Sequence, residues 1–139
     1  MDLKILDPLR SKIVNVTTAW LSGTNGTSGS AGLLRIYGGT QPGTAGGDSG
    51  TQGTICQISG ISWAAGSNGT AAITSSFTGT AGSNGTSAWA RLSSSDGSSF
   101  VIDGLCGTAA TSDFVIDVAG ISAGSVITLS SASIVMPGS

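Results

Sequence analysis

From residue 33 to residue 136 the chain is a series of short apolar runs separated by turn residues. The runs are LLRIY (33–37), TICQIS (54–59), AAITSSF (71–77), SAWARL (87–92), FVID (100–103), FVIDVA (114–119) and VITLSSASIVM (126–136). Several alternate with period two. Ala88, Ala90 and Leu92 fall on one face of an extended strand and Trp89 and Arg91 on the other, while Phe114, Ile116 and Val118 share a face. This pattern predicts an all-β fold, an antiparallel β-sandwich or barrel of about 7–8 short strands.

The N-terminal segment follows a different period. Asp7 reads as an N-cap with Pro8 at the first helical position, where its missing N–H costs nothing. Leu9, Ile13, Val16 and Trp20 then draw one apolar stripe, and the helix is expected to stop near Ser22-Gly23. The expected organisation is a helical arm over 1–22, a flexible linker GTNGTSGSAG over 23–32 and a β domain over 33–139. A helix of about fourteen residues is marginal alone, so the stripe must pack against something. Its own domain end and a partner surface both remain open.

The phrase AGSNGT occurs twice, at 65–70 and 81–86. Asn-Gly suits a type I′ hairpin turn, because both residues tolerate positive φ. Asn68-Gly69 and Asn84-Gly85 therefore predict two turns flanking one strand of a meander, with Gly79 and Gly82 extending the second loop and Asp96-Gly97 ending the next strand. A solenoid needs at least three repeats. Four N-x-[ST] matches, at Asn15, Asn25, Asn68 and Asn84, require the secretory pathway to be used. The opening MDLKILDPLRSKIV is no signal peptide, since charges and Pro8 interrupt any apolar core. Synthesis in a cytoplasm is expected, and the matches are read as chance.

Composition narrows the function. Charged residues are 9% of the chain, where a typical soluble domain has about 25%. Glu and His are absent, and the formal net charge is −2. There is no basic footprint for nucleic acid, and no apolar run long enough for a membrane-spanning helix. A surface this poor in charge is weakly protected against association, so the chain is expected to work within an assembly. Cys56 and Cys106 are expected to be free, buried thiols, with one bridge between them as the alternative.

Candidate chemistry is sparse. GGDSGT at 46–51 resembles the nucleophile loop of chymotrypsin-like proteases, but that chemistry needs a base and the chain has no His. Lys4 and Lys12, the only lysines, lie on the arm. Asp96, Asp103, Asp113 and Asp117 are candidates for paired-carboxylate hydrolysis or a calcium site, yet each reads equally as a turn or solvated residue. Neither an enzyme nor a cofactor is predicted.

One stretch carries a resemblance. LLRIYGGTQPGTAGG (33–47) resembles the L-[KR]-I-Y-x-G-T-x-P opening of a family of small proteins encoded by tailed phages and prophages. The likeness continues through residues 73–131, at Gly85-Thr86, Ala88, Trp89 and Arg91, then Asp96, Gly97, Val101, Asp103 and Gly104, and finally Gly107, Ile121, Gly124 and Val126. It covers about 100 residues, many of them Gly, Ser or Thr. Gly38-Gly39 departs from the family's pattern at the first turn, and Cys106 replaces a usual hydrophobic residue. The resemblance implies a virion structural component, a capsid decoration (cement) protein on the capsid surface, assembled in the host cytoplasm. Its partners would be the major capsid protein and further copies of itself, a homo-oligomer with trimers favoured over dimers. Leu9, Ile13, Val16 and Trp20 would then grip the shell, with Trp63 or Trp89 at subunit contacts. A tail or fibre component that meets host glycans through loop 38–53 is the alternative.

Overall fold

The computed structural model describes residues 32–47, 52–94 and 101–136, together with Ile13, Asn15 and Thr17. Ten strands follow in chain order: β1 (Gly32–Tyr37), β2 (Cys56–Ile61), β3 (Thr70–Ala72), β4 (Phe77–Thr80), β5 (Gly85–Thr86), β6 (Trp89–Ser93), β7 (Ile102–Gly107), β8 (Phe114–Ile116), β9 (Gly120–Ile121) and β10 (Val126–Val135). The fold is all-β, as the alternating runs predict. Ile13, Asn15 and Thr17 are helical; Gly32, expected to end the linker, is the first residue of β1, and the rest of the predicted arm and linker, with the Asp96-Gly97 turn, lie outside the described residues.

One sheet of eight strands dominates, in the order β2-β1-β6-β7-β8-β10-β3, with β4 also paired to β10. β10 pairs on one edge with β8, and along the other with β4 at its start and β3 at its end. The predicted single strand 71–77 is therefore two strands, broken at 73–76, laid end to end along β10. Isolated bridges Cys56↔Ala81 and Trp63↔Ile73 join this line to β2. The backbone N–H groups of Gly82 and Ser83 both reach Ile55 O, at 2.9 and 3.3 Å. The two ends of the sheet thus meet, and the sheet curls around one core. β5 and β9 form a separate small ladder.

The core is aliphatic. Leu34, Ile36, Ile58, Leu92, Ile116, Ile127 and Leu129 point inward, and Cys56 and Cys106 lie among them as free thiols. Burial raises the pKa of both, that of Cys106 to about 12 with Cys56 adding to the rise. Gly79, expected in a loop, sits instead in β4 where that strand presses on β2. A Cβ there would fall inside contact distance of the Gln57 carbonyl oxygen. Only glycine permits so close a backbone approach.

Pairing is antiparallel except between β7 and β8, which run parallel with Cys106 opposite Phe114. A parallel return ordinarily takes a dozen or more residues. Here only residues 108–113 make it, so the chain re-enters the sheet level with Cys106 rather than with the start of β7. β8 is consequently three residues long between neighbours of six and ten.

Candidate functional site

The outer face of the sheet carries the most organised set of polar and aromatic side chains. Strand register places Gln57, Arg35, Arg91 and Asp103 in one row across β2, β1, β6 and β7. Tyr37 and Trp89 are directly opposed in the row beside it. Adjacent Arg35 and Arg91 would repel, but Arg91 is neutralised by Asp103 through two charge-assisted bonds, Nε to Oδ1 at 2.7 Å and Nη2 to Oδ2 at 2.8 Å. Arg35 Nε turns to Gln57 Oε1 at 3.4 Å.

Gly46, Gly47 and Gln52, from the connection between β1 and β2, close over this row. Arg91 Nη2 also donates to Gly47 O at 2.8 Å, and Gly46 N donates to Asp103 Oδ2 at 3.1 Å. Gln52 bridges the indole N–H of Trp89 (2.9 Å) and Thr40 O (2.9 Å). Below it Tyr37 and Trp89 stack with centroids 4.4 Å apart and planes 12° from parallel, and the Arg91 guanidinium carbon lies 5.4 Å from the Trp89 ring. The Asp103 side chain is 1% exposed and that of Arg91 13%. Removing one member of such a buried pair typically costs about 3–5 kcal/mol, because the other charge is stranded.

Chemically this is a clasp. The guanidinium and carboxylate are saturated by one another and by the loop backbone, and the indole N–H is taken by Gln52. The first two residues of GGDSGT are where the clasp closes. Asp103, expected at a strand end in solvent, is the second residue of β7 and buried. A signal for it did exist: an Arg inside an apolar strand needs a counter-ion, and acids are few. Asp113 and Asp117 serve backbone N–H groups, Asp113 Oδ2 that of Leu105 (2.8 Å) and Asp117 Oδ1 that of Thr128 (2.9 Å). Among the described residues no group of three or more metal-ligating side chains converges, and no helix is long and apolar enough to cross a membrane.

The residues expected to bind partners are dispersed. Leu9, Val16 and Trp20 lie outside the described residues. Ile13 is half-buried, and two residues on, Asn15 Oδ1 accepts the backbone N–H of Gly66 at 2.5 Å. This part of the arm touches its own β domain. Trp63 is half-buried beside the core, with its indole N–H buried and without a hydrogen-bond partner. Trp89 has no exposed surface; Gln52 and Tyr37 lie on the ring that was expected at a subunit contact. Among the described residues the exposed large aliphatics are instead Leu105, Val118, Val126 and Val135.

No family model, curated protein or solved structure matches the chain.

Proposed function

We propose that this chain is a structural virion protein, a decoration (cement) protein that binds the outside of a phage head and stabilises the shell. The observation that carries the reading is where the β domain puts its charge. The five charged side chains among the described residues are Arg35, Arg91, Asp103, Asp113 and Asp117, and each is engaged within the domain. Arg91 and Asp103 bury their charges against each other, while Asp113 and Asp117 are exposed but turned onto backbone N–H groups, so most of the described surface is Ser, Thr, Gly and aliphatics such as Val126 and Val135. Such a surface is prone to associate. That property suits a lattice-bound component, where repetition adds avidity to modest single contacts. The resemblance of residues 33–47 and 73–131 to the phage family supports the same reading. The partners are the major capsid protein and further copies of this chain.

A tail or fibre role is the second reading. It is favoured by the clasp, whose hydrogen bonds tie Gly46, Gly47 and Gln52 of the loop region to the sheet, as an anchored recognition loop requires. Copy number per purified particle, with heads and tails separated, distinguishes the two. Hundreds of copies in heads are expected; a handful confined to tails would transfer the proposal to host attachment, and absence from particles would end both.

A further inference from the structure

The short return from β7 to β8 leaves part of the sheet open. β8 fills the position between β7 and β10 only from Phe114 onward. Before it, among the described residues, no strand lies between the start of β7 and the end of β10. A cavity of about 240 Å³ lies there, floored by buried Leu92 and Phe114 with half-buried Ile134, and Asp113 and Val135 stand exposed at its mouth.

The backbone on both sides points into this slot. Leu105 N–H faces away from β6, since it bonds Asp113, whereas Cys106 N–H reaches Ala88 O on β6. Alternation along a strand therefore turns the N–H and C=O of Asp103 toward the slot. On β10, Ala132 O accepts from Ile73 and Met136 N donates to Gly69 O, both on the β3 side. By the same alternation Ser133 and Val135 direct their backbone groups into the slot. Further along, the single strand β8 fills the position between the same two neighbours, so the slot continues the place of one strand.

We propose that the slot binds an extended segment of a second copy of this chain, residues 2–6 (DLKIL), as an added strand. Twelve residues precede Ile13, and they hold Lys4, Arg10 and Lys12, three of the five bases in the chain. Leu3 and Ile5 alternate around Lys4. In an extended strand both aliphatics enter the apolar floor while Lys4 faces outward beside the Asp113 carboxylate. The backbone groups of Asp103, Ser133 and Val135 supply the ladder, and side-chain alternation supplies the specificity. Head-to-tail insertion closes into rings or runs on as chains. The proposal rests on the slot and holds for the isolated protein whichever particle carries it.

Sedimentation of the full-length chain over a concentration series tests it, with two variants. Val135→Pro removes a slot-facing N–H without touching the β3 ladder, since proline is tolerated at such an edge. Leu3→Asp/Ile5→Asp alters the inserted segment and leaves the β domain intact. Wild type is expected to associate with rising concentration. Association weakens roughly tenfold in the first variant, as loss of one ladder bond implies, and is abolished in the second. In an equal mixture, at concentrations where the Val135→Pro chain alone is monomeric, heterodimers are expected, because its intact segment meets the intact slot of the other variant. Wild type that stays monomeric, or variants that associate as wild type does, would overturn the proposal. So would a Leu3→Asp/Ile5→Asp chain that unfolds earlier than wild type at a dilution where both are monomeric, because the chain's own segment would then be the occupant.

Discussion

The six residues AGSNGT are folded in two ways within one molecule. At 65–70 they make a tight hairpin: Ser67 and Thr70 exchange backbone bonds of 2.9 Å in both directions, and Asn68 and Gly69 take φ of 50° and 76°. At 81–86 there is no such turn, and among the described residues Asn68 is the only non-glycine with positive φ. The second copy is drawn out along its neighbours. Ala81 bridges Cys56, Gly82 and Ser83 bond Ile55 O, Asn84 Oδ1 accepts Ala123 N at 2.8 Å, and Gly85-Thr86 form β5 against β9. Local propensity decides the first copy, where a two-residue connection suffices. Long-range partners decide the second, because the closing seam between β4 and β2 ends at Ala81.

Substitutions can separate these causes. The largest effect is expected at Gly79, where a side chain would collide with the Gln57 backbone and part β4 from β2. Gly79→Ala should cost about 3 kcal/mol or more. Hydrogen exchange should show Gly82 and Ser83 losing protection while Ser67 and Thr70 keep theirs; equal loss in both copies would mean that they share one support.

Alkaline pH attacks the same seam through Cys56 and Cys106. Their pKa values are raised by folding, so the stability held by the neutral thiols is complete below the ordinary value of 9.0 and is lost as pH rises toward about 12. Thermal melts across that window should fall in wild type and flatten in a Cys106→Ala variant.

Gly85 and Gly69 should then differ in kind. A Cβ at Gly85 would lie 2.5 Å from Ile55 Cδ1 and 2.9 Å from its Cγ1, an overpacking expected to cost about 1–3 kcal/mol. Ile55→Val, which removes Cδ1, should relieve part of it. Gly69→Ala is strained by its positive φ and should cost about 1–2 kcal/mol, with no relief from Ile55→Val. Rescue of both variants, or of neither, would dissolve the distinction.

The smallest contrast lies at the asparagines. Asn84→Gly loses the bond to Ala123 and should cost about 1 kcal/mol. Asn68→Gly keeps the left-handed geometry and should be close to neutral by denaturant unfolding.

These differences mark how far the sequence could be read. Strands such as LLRIY and SAWARL were legible because both of their faces are buried, which leaves a short apolar run that a local window detects. The hairpin at Asn68-Gly69 was legible because two residues suffice to make it. The extended state of Asn84-Gly85, the break at 73–76 and the strand role of Gly79 depend on segments from elsewhere in the chain, to which a local window is blind. The clasp was half legible. Arg91 stood out in an apolar strand, but its partner emerged only with the register that sets it opposite Asp103. Loop 38–53 was singled out only as a surface for host glycans, yet its Gln52 lies against the indole of buried Trp89.

The central claim is that this chain strengthens a phage shell, and the direct measurement is the temperature at which heads release their genome. Heads produced without this chain should rupture at lower temperature than complete heads, and adding the purified protein should restore the difference. A Trp20→Asp chain should restore less, if the arm grips the shell. Heads that rupture at the same temperature with and without the protein would contradict the account.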